Sequence, residues 1–491
     1  MKRRNALKHI GAGLSAGLCL PWLSSCNEEE IGPEITYKGT IGIIGAGAAG
    51  LYAADYLLAK GINVIIFEAS DRIGGRIRSL RPFDKTGPGL WFNQNAKISG
   101  EFPVELGSDR VYGSNSIWAK FIHQQKLQTL SIGDFTADKF LINGAVVNYQ
   151  DAIANGDFES AVNFLQNIES QTDFNTSVQQ RINSQGIAST MNFMLDGLIG
   201  NKFGTSNSRL NIGAVGESLS LRQRNSDVLL LANNPQADAL IEGFIRASEK
   251  VELNSVVKSV SYEGDKVAIT GEKFVDGASQ AFNVEVDKVI VTVPISVLKA
   301  GDISFSPALP VEKTDAFSKI GMDAAIRVTL DFRKNFWGAG FRSLYGACNG
   351  PEYFNSGEGR STVARTLSIT VSGAKAEELS PLGTDIIPLL LEELDSAYDG
   401  MASEDIRLDA VEGKFIAAVQ DWSKEPYIKG GMSYLKPGGT LTHREVLSKP
   451  VNQKVFFAGE ATDFSGESGT VNGALISGER VAIEVISAIS A

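Results

Sequence analysis

The sequence predicts an α/β fold, with a Rossmann-type unit near its start and further buried strands far along the chain. Three observations carry this. Thr40-Ile41-Gly42-Ile43-Ile44 is an apolar run followed at once by Gly45-Ala46-Gly47-Ala48-Ala49-Gly50 and a helix-like stretch of small and apolar residues to Lys60. Lys288 to Pro294 reads as a buried strand in mid-chain. Lys454-Val455-Phe456-Phe457-Ala458, near the far end, is a strand that stops at Gly459-Glu460. With 491 residues the chain exceeds what one hydrophobic core holds, so two or more packed units are expected.

In chain order, the first element is an address. Lys2, Arg3 and Arg4 precede an apolar stretch from Ile10 to Leu23, which is short for a membrane span and suits a twin-arginine export signal. Leu23-Ser24-Ser25-Cys26 resembles a bacterial lipobox, so residues 1–26 are expected to be a signal peptide with Cys26 lipidated. A plain signal peptide or a retained anchor is the other reading. Residues 27–37 read as a polar tether. The expected location is the bacterial cell envelope or periplasm, with a lipid anchor as the one attachment to a membrane.

The glycine run comes next. Strand, glycine loop, helix, then a second strand from Asn63 to Phe67 ending at Glu68, is the order a Rossmann unit requires. Gly45 permits the tight turn, Gly47 lets backbone approach a pyrophosphate, and Gly50 lets helix pack on strand. Ala48 and Ala49 open the helix, whose free N–H groups suit phosphates. Glu68 sits where a carboxylate accepts ribose hydroxyls. Ala69-Ser70-Asp71-Arg72-Ile73-Gly74-Gly75-Arg76 then adds a second glycine pair and an arginine.

Composition narrows the function. Hydrophobic residues are 43% and charged residues 21%, as in a soluble globular protein, and the net charge of -11 argues against a nucleic-acid partner. The three histidines, His9, His123 and His443, are too scattered for a zinc site or a Ser-His-Asp triad, and Cys19, Cys26 and Cys348 form no CxxC pair. No metal is expected.

The Glu68–Arg76 block, the Gly459-Glu460 strand end and Gly469-Thr470-Val471-Asn472-Gly473-Ala474 together resemble the flavin-containing amine oxidase superfamily, which includes monoamine, polyamine and L-amino-acid oxidases and histone lysine demethylases. The resemblance runs from about residue 40 to the C-terminus and is loose from 114 to 227. It implies a Rossmann-type FAD-binding domain, glutathione-reductase-like, built from about 38–113, 228–301 and 430–491. The inserted α+β substrate domain then takes 114–227, read as helical, and 302–429, read as sheet-like. Gly45, Gly47, Ala48, Ala49, Gly50, Glu68, Ala69, Gly75, Arg76, Val257, Gly459, Glu460, Thr470 and Val471 match family positions at the cofactor. Val257 matches an adenine contact and Glu460 the acid that holds the ribityl chain. The family's covalent-flavin cysteine falls near Gly431, so FAD is expected to be non-covalent.

What the resemblance implies for the chemistry is C–N oxidation of an amine or α-amino acid by hydride transfer to flavin N5, with oxygen or another electron acceptor taking the electrons. Lys299, in the block Val-Pro-Ile-Ser-Val-Leu-Lys, matches the lysine that holds a water at N5; the alternative is a surface lysine after a strand. Met432 and Thr470 stand where monoamine oxidases frame the amine with two rings, and Trp422, Tyr427 and Tyr434 are nearby aromatics. Arg110, in Leu106-Gly107-Ser108-Asp109-Arg110, falls on the arginine that clamps a substrate carboxylate in L-amino-acid oxidases; the alternative is a structural ion pair with Asp109, Glu105 or another acid. A desaturase or porphyrinogen-type oxidase, and a lipid-anchored electron-transfer flavoprotein, remain competing readings of the same fold.

Overall fold

A computed structural model of the chain describes residues 36–98, 102–132 and 135–490. The expected signal segment, Cys26 and the tether up to residue 35 lie outside the described residues. No described helix is long and apolar enough to cross a membrane.

Five short strands form one all-parallel sheet in the order Val455–Phe457, Lys288–Val291, Thr40–Ile44, Asn63–Phe67, Val251–Glu252. Their near-continuous apolar sequences follow from cover on both faces. Ile41, Ile43, Ile66, Ile290 and Phe456 face the helices Ala48–Ala59 and Val471–Ser490. Ile44, Phe67, Val289, Val291 and Phe457 face a four-stranded sheet that carries Val257 on its strand Ser255–Ser261. The result is three layers. The two helices come close because of a glycine: a Cβ at Gly478 would lie 2.6 Å from the Ala49 carbonyl. The strand order reverses between Thr40–Ile44 and Lys288–Val291, and ligands bind off the carboxyl ends of strands at such a reversal.

An eight-stranded sheet forms the other half, with Ala325–Asp331 and Thr366–Ser372 near its centre. These two strands alternate. Ile326, Val328, Leu330, Leu367, Ile369 and Val371 pack on the helix Ile386–Ala397. Arg327, Thr329, Ser368 and Thr370 point to the opposite face. Helices between residues 149 and 221 cover the far end of this sheet, where Phe140, Ile142 and Tyr345 meet Phe158, Leu165 and Leu195.

The segment 114–227, read as helical, contributes two strands to this sheet, Lys139–Ile142 and Ala145–Asn148. They are joined by Asn143-Gly144 with φ of 51° and 81°, the two-residue turn that matches strand twist. Leu90–Phe92, from the segment read as cofactor domain, edges the same sheet through Ala417–Asp421.

Candidate active site

One cavity of about 2080 Å³ runs from the carboxyl ends of the parallel strands to the polar face of the eight-stranded sheet. A drug-sized ligand fills roughly 300–1,000 Å³, so this volume accommodates a dinucleotide and a second molecule.

At the first end, Gly45 donates its N–H to the Phe67 carbonyl, and helix Ala48–Ala59 begins at Gly47 with no side chain capping its N–H groups. A Cβ at Gly47 would meet nothing within 4 Å, whereas one at Gly50 would lie 2.0 Å from the Gly45 carbonyl. The first glycine therefore keeps space open and the second permits packing. Gly74 donates to the Ala46 carbonyl at 2.9 Å, so the second glycine loop lies along the first. Glu68 accepts from the Ala46 N–H at 2.8 Å and from Ser70 N–H and Oγ at 2.9 and 2.7 Å. One acceptor site on its Oε2 is left over for a ligand hydroxyl. Ala48, Ala49, Ala69, Gly75, Val257 and Gly459 also line this end, as does Tyr427; Gly50 is outside the wall.

Midway, Arg76 donates to Glu460 and to the Gly431 carbonyl at 2.7 and 2.8 Å. Glu460 also accepts from Ser433 Oγ at 2.6 Å and the Gly469 N–H at 2.8 Å. Burial alone would raise the Glu460 pKa, but Arg76 and Arg444 outweigh it and hold the carboxyl below the ordinary value. With these donors Glu460 clamps Arg76 to the turn before the last helix. Thr470 Oγ1 donates to the Glu467 carbonyl and accepts from the Gly473 N–H, closing the first turn of Val471–Ser490. Its hydroxyl is thus engaged by backbone, although Thr470 and Val471 line the cavity. Met432 and Trp422 line it too, and the indole donates to the Leu106 carbonyl at 3.0 Å.

Two expected residues are placed elsewhere. Tyr434 is 2% exposed, bonds to Asp323 at 3.0 Å and lies outside the cavity wall, because strand alternation turns it to the opposite side from Ser433. Lys299 is on the outer side of the short helix Ile295–Ala300, exposed, with its ammonium on the Ile320 carbonyl at 3.0 Å. It reaches no cavity surface, so the water-holding role assigned to it has no geometric support.

One buried cation set into the wall, Arg327, was missed in the sequence reading. It is 4% exposed and donates to Thr370 Oγ1 at 2.6 Å and Asp109 Oδ2 at 2.5 Å. The signal was present: in Ala325-Ile326-Arg327-Val328-Thr329-Leu330-Asp331 every second residue is apolar, which puts the arginine on the non-core face.

Arg110 lines the cavity, but its guanidinium is engaged. It pairs with Glu352 at 3.1 Å and lies over the Phe354 ring, 4.1 Å from the centroid. Burial opposes its charge, and Glu352 and Asp109 more than compensate, so its pKa is raised. Glu352 in turn accepts from Ser343 and Tyr345 hydroxyls at 2.8 and 2.7 Å. Burial would raise its pKa; Arg110 and Lys202 overcome that and bring it down to about 2. Of the two readings of Arg110, the geometry has the ion pair: with Asp109, as the sequence suggested, at 3.8 Å, and more closely with Glu352, an acid the sequence did not name. Beyond lie the pair Arg342–Asp138, an aliphatic wall of Ile153, Leu165, Leu198 and Leu219, and Lys202.

No described cluster of His, Cys, Asp or Glu could hold a metal. The open glycine loop, the uncapped helix and the acid beyond it fit a dinucleotide, and no cysteine or histidine among the described residues lines the cavity to bond a flavin ring.

The chain belongs to the flavin-containing amine oxidoreductases: the model of that family matches residues 48–486. Its cofactor is FAD, and its fold is the α/β architecture of that family. The chain is 26% identical to lysine-specific histone demethylase 2 of Homo sapiens over 94% of this chain and 55% of that protein. It is 25% identical to lysine-specific histone demethylase 1 homolog 3 of Arabidopsis thaliana over 92% of this chain and 30% of that protein. The chain therefore spans only part of the length of these relatives. Among solved structures, cyclohexylamine oxidase from Brevibacterium oxydans IH-35A matches with a TM-score of 0.71 at 18% identity, covering 92% of this chain and 100% of that one. Putrescine oxidase bound to putrescine matches with a TM-score of 0.71 at 18% identity, covering 91% and 99%. At that identity the structures share the fold.

Proposed function

We propose that this chain is an oxidase of a small amine, acting on the C–N bond. The observation that carries this is the continuous cavity that joins the glycine loops to a region with charged residues and an aliphatic wall. Bound FAD supplies a two-electron sink for the hydride leaving the carbon beside nitrogen, the imine hydrolyses, and oxygen removes the electrons as hydrogen peroxide. The protein's part is placement. Trp422 and Met432 border the middle of the cavity, Arg327 sets a fixed positive charge in its wall, and the Ile153–Leu219 side excludes water from the hydrocarbon body of the substrate.

A simple carboxylate clamp by Arg110 is not part of this reading, because Glu352 occupies the guanidinium. Non-covalent attachment of FAD is, since Gly431 supplies no thiol and a side chain there would meet Ala325 Cβ at 2.5 Å. We also propose export and lipid anchoring at Cys26 on the sequence of the first residues. The amine reading is tested by screening amines and amino acids for flavin bleaching without oxygen, then for peroxide in air. Bleaching by an amine with stoichiometric peroxide supports it; bleaching by alkyl C–C donors alone defeats it.

A further inference from the structure

We propose that Lys202 recognises a carboxylate on the substrate, so that the preferred substrate is an amine carrying one carboxylate on an aliphatic frame. This rests on the amine-oxidase reading of the same cavity.

Lys202 reaches the chamber through an irregular turn. The helix Asn192–Leu195 widens into a π turn, Asp196–Gly200, and tightens into Asn201–Phe203. Such widening within a helix is frequent at functional sites. Glycines permit it: a Cβ at Gly197 would lie 2.3 Å from the Pro351 carbonyl, and one at Gly200 would lie 2.6 Å from the Asn207 nitrogen. The turn is thereby pressed against the start of strand Glu352–Asn355, and Lys202 Nζ stands 5.2 Å from the Tyr345 ring centroid. Lys202 is exposed onto the cavity, and the protein packed around it disfavours its charge.

Four other cations of the cavity wall are matched by acids. Arg110 pairs with Glu352, Arg327 with Asp109, Arg342 with Asp138 and Arg224 with Glu467. Lys202 has neither an ion pair nor a hydrogen bond among the described residues. Arg222, 5.6 Å from the Phe203 ring centroid, has no ion pair either, but its Nε is held by the Gly466 carbonyl at 3.0 Å. Glu352 and Asp138 act on Lys202 from a distance, but the four cations Arg110, Arg327, Arg342 and Lys202 meet only three carboxylates, Glu352, Asp109 and Asp138, and an arriving carboxylate supplies the fourth. One free ammonium calls for a monoanion, and the Ile153, Leu165, Leu198 and Leu219 wall calls for a hydrocarbon chain behind it.

Burial lowers the Lys202 pKa, and Arg342 and Arg110 lower it further, against Glu352 and Asp138, which raise it; the Tyr345 ring faces the same ammonium. Carboxylate affinity therefore falls with rising pH before the range of an ordinary lysine.

The test titrates FAD-loaded enzyme with hexanoate, hexanamide and hexyl phosphate, followed by flavin absorbance at fixed ionic strength. Hexanoate is expected to bind saturably and most tightly. Lys202→Met and Lys202→Gln, each checked for full FAD content, are expected to weaken hexanoate by about tenfold or more, Lys202→Arg far less, and hexanamide not at all. In turnover, the preference of the parent for 6-aminohexanoate over hexylamine should collapse by a similar factor in Lys202→Met. Equal hexanoate affinity in parent and both neutral variants, no hexanoate binding, or tighter binding of hexyl phosphate would overturn the proposal. If amines bleach the flavin and hexanoate is indifferent to Lys202, the carboxylate site fails alone. If hexanoate binding depends on Lys202 and no amine bleaches the flavin, the amine reading fails and the anion site stands.

Discussion

Glu352 is a buried carboxylate held ionised by Arg110 and Lys202 and by two hydroxyls. Arg110→Ala would leave it without its ion-pair partner, and breaking a buried pair from one side costs about 3–5 kcal/mol. Urea denaturation should show that loss, and Arg110→Met with Glu352→Gln should recover most of it. Because the Glu352 pKa is about 2 in the fold against an ordinary 4.5, the pair stabilises above the unfolded value and that contribution disappears as pH falls toward 2. Lys299→Met makes the contrast: its ammonium meets one carbonyl at the surface, so the rate at which oxygen reoxidises reduced enzyme should match the parent. Stopped-flow mixing measures it. The sequence placed Arg110 on the right loop and offered Asp109 beside it, but not the closer partner Glu352, which is hundreds of positions away with no local pattern joining them. Lys299 misled for the opposite reason: a local block was matched, while the turn of a six-residue helix decides where its side chain points.

Gly47 and Gly50 separate binding from folding at the scale of one element. A side chain at Gly47 projects into open cavity, so Gly47→Leu should fold and lose FAD. Gly50→Ala forces a Cβ against the Gly45 carbonyl and should lower stability itself. Flavin content of purified protein, with circular dichroism, tells the two apart; a Gly47→Leu protein that keeps full FAD would remove the loop from cofactor binding. The strand–loop–helix–strand–acid order was legible because each step is local and each residue type has one physical use there. Arg327 is equally legible from the alternation of Ile326, Val328 and Leu330 around it. The hairpin at Asn143-Gly144 carried its own signal, hidden within a stretch whose surroundings are helical. Lys202 had no such signal, since a π turn depends on glycine contacts with a distant strand.

At the scale of the molecule, the three-layer half around the parallel sheet and the eight-stranded half share one cavity, and the chemistry depends on that continuity. Sequence conveyed the parallel sheet because its buried strands are uniformly apolar. It conveyed the second half poorly, because Leu90–Phe92 and Lys139–Asn148 join a sheet whose other strands lie far along the chain. With Gly431 at the position of a thiol, acid precipitation should release yellow flavin to the supernatant, and flavin retained by denatured protein would refute a non-covalent site. Cys26→Ala should leave unprocessed precursor without lipid label; unchanged mature protein would end the lipobox reading. The decisive measurement is anaerobic addition of an amine panel, 6-aminohexanoate and hexylamine among them, to FAD-loaded enzyme while flavin absorbance is followed. Full bleaching by at least one amine, with peroxide formed in equal amount on admitting oxygen, is the predicted result. Flavin that stays oxidised with every amine, yet bleaches with a donor that has no C–N bond, would contradict it.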